Sequence, residues 1–171
     1  MKATVLSMCL MAAALAGCNR SGDTAAAPDA SASDLESRWP AGDLEKVKSQ
    51  FGEMNVTKSG LHWQTLEPGT GDAKPLARDV VKADYRGMLL DGSVFDESYK
   101  RGEPYEFPLG LGRVIPGWDE ALLDMKKGEK RRIVLPYWLG YGTRGAGTKI
   151  PPKSTLVFEI VLRDWTPAPG H

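Results

Sequence analysis

Apolar and polar residues alternate most clearly in two stretches of this chain. In Val81-Ala83-Tyr85-Gly87-Leu89 the odd positions are apolar or small, and Lys82, Asp84 and Arg86 alternate outward. That period of two predicts a half-buried strand, and Asp91-Gly92 just beyond it predicts a hairpin turn. Leu156, Phe158, Ile160 and Leu162 form a second uninterrupted apolar face, and Arg131–Leu135 and Leu61–Leu66 read as two further strands. The period changes after Val114-Ile115-Pro116-Gly117-Trp118. There Trp118, Leu122 and Met125 recur at i, i+4 and i+7, the spacing of a helix. Pro116 suits its first turn, and Gly128 suits a left-handed stop. Antiparallel strands with a single convincing helix predict an α+β domain, one twisted sheet closing its apolar face over that helix. Upstream, Leu44, Val47, Phe51 and Met54 also fall at helical spacing, with Asp43 placed to cap the start. This arm, residues 34–58, is expected to pack on the main domain; a small dimerisation helix is the alternative.

The N-terminus changes the picture by adding an address. Lys2 supplies a positive start, Val5–Leu15 is apolar but short for a membrane span, and Leu15-Ala16-Gly17-Cys18 follows. The last four residues resemble the bacterial lipobox, which implies a signal peptide over 1–17 and lipidation of Cys18. An ordinary signal peptide, with Cys18 incidental, is the alternative. Asn19 follows the cysteine where an inner-membrane retention signal has aspartate, which favours an outer-membrane anchor facing the periplasm. Residues 18–33 are rich in Ala, Ser, Asp and Gly and read as a lipid-anchored flexible tether. The main domain is expected over 59–166, with a short tail at 167–171.

Composition and chemistry mostly exclude. Lys and Arg together number 22, as do Asp and Glu, so the balanced charge gives no support for a nucleic-acid partner. The 2 cysteines, Cys9 and Cys18, lie in the export segment, and the 2 histidines, His62 and His171, stand far apart. No zinc cluster or cysteine–histidine pair can form from these, and no metal or cofactor is expected. His62 is expected to be a partly exposed strand residue. Gly142–Lys149 has the glycines of a phosphate loop, but Thr148 and Lys149 come in the wrong order and Pro151-Pro152 stands where a helix should begin. It reads better as a mobile flap with an apolar hinge. What remains is a set of aromatic and aliphatic residues spread over several elements. Tyr85 and Tyr141 carry hydroxyls that need partners, and Asp96 is a carboxylate amid apolar neighbours, a combination that fits a pocket wall better than a sealed core.

The ordered motifs DYRGMLLDGSVFDES at 84–98, VIPGW at 114–118, MKKGEKRRIVLP at 125–136, LGYG at 139–142 and IPPKSTLVFEIVL at 150–162 resemble the FKBP-type peptidyl-prolyl isomerases. The resemblance covers about Ser59 to Trp165. It implies a half-barrel antiparallel sheet wrapped around one short helix, with a proline pocket between them. It implies that Trp118 forms the floor and that the Ile115 N–H and the Tyr141 hydroxyl hold substrate carbonyls. Tyr85, Phe95, Asp96 and Phe158 complete the catalytic wall, with Arg101 orienting Asp96. Tyr105, Val114 and Ile150 are implied as further substrate contacts. The expected activity is cis-trans isomerisation of Xaa-Pro bonds in exported proteins, with macrolides as inhibitors. A non-catalytic chaperone or adaptor that holds proline-containing segments is the alternative. Three positions depart from the family pattern. Tyr105 stands where phenylalanine is common, Ala146 where some relatives have histidine, and Trp138 at a site usually polar, where it would be a sticky contact if exposed.

Overall fold

The computed structural model describes residues 32–170. The signal peptide, Cys18, nearly all of the tether and His171 lie outside them. Two helices come first, α1 (Ala32–Ser37) and α2 (Asp43–Phe51). Seven strands follow: β1 (Asn55–Val56), β2 (His62–Glu67), β3 (Val80–Leu89), β4 (Val94–Glu97), β5 (Tyr105–Pro108), β6 (Lys130–Leu135) and β7 (Leu156–Thr166). Helix α3 (Pro116–Leu123) lies in the chain between β5 and β6.

The strands make one antiparallel sheet in the order β1-β2-β6-β7-β3-β4. The edge beyond β3 is shared: β5 pairs with its first half, from Val80 to Ala83, and β4 with its second, from Arg86 to Met88. Long strands β3 and β7 run side by side from Val80↔Thr166 to Leu89↔Leu156, which puts the two alternating apolar faces of the sequence on the same side. Val81, Ala83 and Tyr85 of β3, Ile133 and Leu135 of β6, and Leu156, Phe158, Ile160 and Leu162 of β7 pack there around Trp118, Ala121, Leu122 and Met125. The β3–β4 hairpin turns at Asp91-Gly92 as expected, with the Ser93 N–H donating to Asp91 Oδ1 at 2.8 Å.

Several expectations need correction. Among the described residues the main domain has the one α-helix expected, the arm has two where one was expected, and α1 begins inside the segment assigned to the tether. Strand β1 pairs with β2, so the sheet starts before Ser59. Helix α3 ends at Leu123, well short of Gly128, because the Asp124 and Met125 N–H groups bond back to Ala121 and Leu122 and tighten the last turn. Met125 nevertheless reaches the core beside Trp118 and Leu122. Asp43 does not cap α2. Gly42 occupies that position in a left-handed conformation, and the Asp43 carboxylate instead accepts from Thr155 Oγ1 at 2.7 Å, tying the helix to the sheet.

The opposite face of the sheet carries a second cluster. Trp39, Leu44 and Val47 pack there against Val134 and Val157, with Phe51, Met54 and Trp138 around them. The arm is therefore a lid on the main domain, as its apolar spacing predicted. His62 is buried in this cluster rather than partly exposed, with Trp39 edge-on to it at 5.1 Å. Trp138 is no free sticky contact either: Trp39 meets its ring, Arg38 lies over it at 4.5 Å, and its Nε1–H donates to Ser59 O at 2.9 Å. On the same side of β3, Asp84 is buried instead of solvated, accepting from Ser98 Oγ and Arg163 Nε.

Candidate active site

The helix start that the sequence marks with proline also builds the floor of a cavity. Pro116 needs no N–H partner in the first turn, so the chain enters α3 from an extended Ile115, and Trp118 turns down onto the sheet. Trp118 is 4% exposed. Tyr85 meets its ring edge-on with centroids 4.9 Å apart, and Phe158 does the same at 5.3 Å. Around this floor opens a cavity of about 830 Å³. That is the size of an ordinary ligand pocket.

Its walls come from elements distant in sequence. Tyr85 comes from β3, Phe95 and Asp96 from β4, Phe158 from β7, and Tyr105 from β5. Val114 and Ile115 come from the segment before α3, and Tyr141 from the turn after β6. Phe95 and Phe158 meet edge-on at 5.5 Å. Gly87 makes that contact: a Cβ there would lie 2.7 Å from ring carbons of both phenylalanines. Ten of the eleven expected site residues line the cavity. Ile150 does not; at 7% exposure it belongs to the core, where its N–H and C=O bridge to Ala146. The bridge, together with Lys149 Nζ donating to Phe95 O at 3.2 Å, ties down the segment expected to be a mobile flap. Glu103, Arg113 and Pro116 also line the cavity. The aromatic pattern that located the other residues carries no signal for two exposed charges.

One wall is a polar triangle. Tyr85 donates its hydroxyl to Asp96 Oδ2, Arg101 donates to Asp96 Oδ1 at 3.0 Å, and Arg101 also donates to the Tyr85 oxygen at 2.8 Å. Burial pushes the Tyr85 phenol up to about 12, and its bond to the carboxylate adds to this. Burial also works to raise the Asp96 carboxyl, but the bonds from Tyr85 and Arg101 outweigh it, and the net lies below the ordinary carboxylate value. Asp96 is thus an anion and Tyr85 a neutral donor across the neutral range. Neither is poised to exchange a proton.

The cavity also offers donors without acceptors. Ile115 N–H meets no acceptor among the described residues. The Tyr141 side chain is 40% exposed, and its hydroxyl forms no hydrogen bond among them. Burial, then the nearby Asp96 charge, raises its phenol above the ordinary value, so it too stays a donor. Trp118 Nε1–H is fully buried and unpartnered. Donors of this kind are normally paired, so the Ile115 N–H and the Tyr141 hydroxyl at one cavity point to a ligand that brings carbonyl oxygens, while the sealed Trp118 Nε1–H lies out of a ligand's reach. An apolar floor, donors for carbonyls and no proton-transfer pair suit a peptide segment held without covalent chemistry.

Comparison with known proteins agrees. The family model described as FKBP-type peptidyl-prolyl cis-trans isomerase matches residues 71–163. The FKBP-type 22 kDa peptidyl-prolyl cis-trans isomerase of Escherichia coli K12 is 51% identical over 119 residues, covering 70% of this chain and 56% of that protein. FK506-binding protein 2 of Yarrowia lipolytica is 58% identical over 97 residues, 57% of this chain and 67% of that one. The crystal structure of AtFKBP13 superimposes with a TM-score of 0.64 at 40% identity, over 67% of this chain and 99% of that chain. The chain spans little more than half the length of the 22 kDa relative.

Proposed function

Because this chain belongs to the family of FKBP-type peptidyl-prolyl cis-trans isomerases, we propose that it catalyses rotation about Xaa–Pro bonds, with the cavity over Trp118 as its active site. The observation that carries the reading is the convergence of the unpaired Ile115 and Tyr141 donors on an aromatic floor whose titratable groups are locked.

The reaction explains why such a site suffices. Rotation about a peptide bond faces a barrier of about 18–20 kcal/mol, because planarity carries the amide resonance. Xaa–Pro bonds populate both isomers and exchange over tens to hundreds of seconds unaided. No proton or nucleophile has to move. The proline ring rests on Trp118, and the Ile115 N–H and Tyr141 hydroxyl hold carbonyls of the flanking chain while the amide turns. Tyr85, Phe95 and Phe158 exclude water, which disfavours the planar amide with its larger charge separation. Asp96, fixed by Tyr85 and Arg101, lies beside the rotating bond. Each ~1.4 kcal/mol by which these contacts favour the twisted amide gives a factor of ten in rate.

The same reading assigns residues 59–166 as the isomerase domain and Cys18 as a lipid anchor, with the tether holding the domain at the bacterial envelope, facing the periplasm from the outer membrane. Its partners there are proline-containing segments of exported proteins, and macrolides are inhibitors that compete for the pocket. Substituting Cys18→Ser should move the protein from the membrane fraction to the soluble one; unchanged membrane association would overturn the anchor.

The activity is tested by cis/trans exchange of a short Xaa-Pro peptide with and without the protein. Replacing Phe95, Asp96 and Tyr141 together by smaller apolar residues should abolish the acceleration. Asp96→Val with Tyr141→Phe, which spares the buried Phe95, should lower it at least tenfold with an unchanged circular dichroism spectrum. Full activity in either folded variant sinks the assignment of these residues. Peptide binding by the wild type without any acceleration would leave a holding module, not an isomerase.

A further inference from the structure

Two residues on the cavity wall have no part in the aromatic site. Arg113 and Glu103 both line it, both are exposed, and neither forms an ion pair or a side-chain hydrogen bond among the described residues. The other charged pair on the wall is different, since Arg101 and Asp96 neutralise one another at 3.0 Å. Arg113 and Glu103 therefore leave one uncompensated positive and one uncompensated negative charge at a single binding cavity.

The backbone leading into Arg113 is also held in place. The Asp119 carboxylate, in the first turn of α3, accepts from Gly110 N at 2.8 Å and from Gly112 N at 3.0 Å. These two bonds fix the loop that leads into Arg113, Val114 and Ile115. The guanidinium is thus carried on the same short segment as the Ile115 N–H, two positions before it. Glu103 stands two positions before Tyr105, at the start of β5. A peptide that gives a carbonyl to Ile115 and passes Tyr105 runs between opposite charges.

We propose that Arg113 and Glu103 are specificity-determining residues that read charge on either side of the proline. Arg113 selects an acidic side chain on the side of the segment held by Ile115, and Glu103 selects a basic one on the other side. This rests on the isomerase reading of the cavity. Exposed opposite charges gain roughly two- to fivefold in affinity, and salt screens the gain. The selection is therefore a modest bias on a site that already accepts neutral peptides.

The test is exchange spectroscopy on short peptides, with Gln, Glu or Lys placed immediately before or after the proline. In the wild type, Glu should raise kcat/KM roughly two- to fivefold over Gln at one of the two positions, and Lys should do so at the other, both gains fading in 1 M salt. Arg113→Gln should remove the Glu gain and keep the Lys gain; Glu103→Gln should do the reverse, and Arg113→Lys should keep both. Loss of both gains in each variant would mean a structural role and overturn the inference. So would equal rates for Gln, Glu and Lys while the Gln peptide is accelerated, an outcome that leaves the isomerase reading intact. No acceleration of any peptide would overturn that reading, and the inference with it.

Discussion

Two tryptophan clusters lie on opposite faces of one sheet, and they differ less in their apolar content than in what becomes of their polar atoms. On the face covered by the N-terminal helices, Trp39, His62 and Trp138 meet edge-on. Two of the ring nitrogens there have partners inside the fold: Trp138 Nε1–H donates to Ser59 O, and His62 Nδ1 lies 3.1 Å from Gly60 O. On the other face, Trp118, Tyr85 and Phe158 meet in the same edge-on manner, yet at the cavity the Ile115 N–H and the Tyr141 hydroxyl have no partner among the described residues. Aromatic density alone therefore does not mark a site. Donors left unpaired beside an open aromatic floor do, because a ligand entering there can meet them, whereas Arg132 Nε stays buried and unpaired beside Phe51 on the covered face.

The largest test separates the clusters by what each tryptophan supports. Trp118→Ala and Trp39→Ala each remove a buried indole and should each cost about 3–5 kcal/mol of stability, measured by urea unfolding. Only Trp118→Ala should also abolish isomerisation, assayed at a temperature where both variants remain folded. If Trp39→Ala proved equally inactive while folded, the two faces would be coupled and the division would fail.

A smaller test acts on the open face through its backbone. In Gly87→Ala the new methyl must displace the Phe95 and Phe158 rings, since its carbon would lie 2.7 Å from both. Overpacking of this kind costs typically about 1–3 kcal/mol. Here the strain is relieved into the cavity, so activity should fall further than the loss of stability alone would bring. A variant with lowered stability and normal kcat/KM would show that the two rings tolerate displacement and do not shape the reacting site.

How far the sequence revealed this difference depended on the kind of signal. The alternation in β3 and β7 carries one face of the sheet directly, because each inward position shows as an apolar letter. The floor at Trp118 was legible from the proline before it and the helical spacing after it. Glu103 and Arg113 were not, because an exposed charge reads the same whether it faces a cavity or bulk water. Ile150 was hard to place for the converse reason: an isoleucine beside a turn can face a cavity or back onto the core, and its burial in the core cluster rests on partners distant in sequence. Asp43 and His62 depended on long-range partners, Thr155 and Trp39, that no local pattern announces.

Single polar atoms on the open face should register in rate and not in stability. Tyr141→Phe removes a hydroxyl that has no partner among the described residues, so the fold should lose almost nothing. The lost bond to a substrate carbonyl, about 0.5–1.5 kcal/mol, should lower kcat/KM roughly two- to tenfold. A destabilised Tyr141→Phe with unchanged kinetics would place that hydroxyl in the structural scheme of the sealed face.

Acid should act on the sealed face before the open one. Burial holds the His62 imidazole below its usual value; the Gly60 carbonyl opposes this, and nearby Lys48 reinforces it. A folded-state value below the unfolded one means that the native state prefers the neutral ring, so the stability it contributes is present above about pH 6.5 and is lost as pH falls through the lower folded value. Asp96 obeys the same sign rule further down, because its folded value lies below the ordinary one of 3.8, so its bonds to Tyr85 and Arg101 persist through the whole window in which His62 takes up a proton. Tyr85, raised to about 12, keeps its proton throughout. Between pH 7.5 and 5 the urea midpoint should therefore fall in the wild type and fall less in His62→Gln, while kcat/KM of the folded protein stays flat. A midpoint that falls equally in both proteins would clear His62 of the effect. A rate that falls over this range would mean that a group in the cavity titrates there, against the states in which Asp96, Tyr85 and Tyr141 are held.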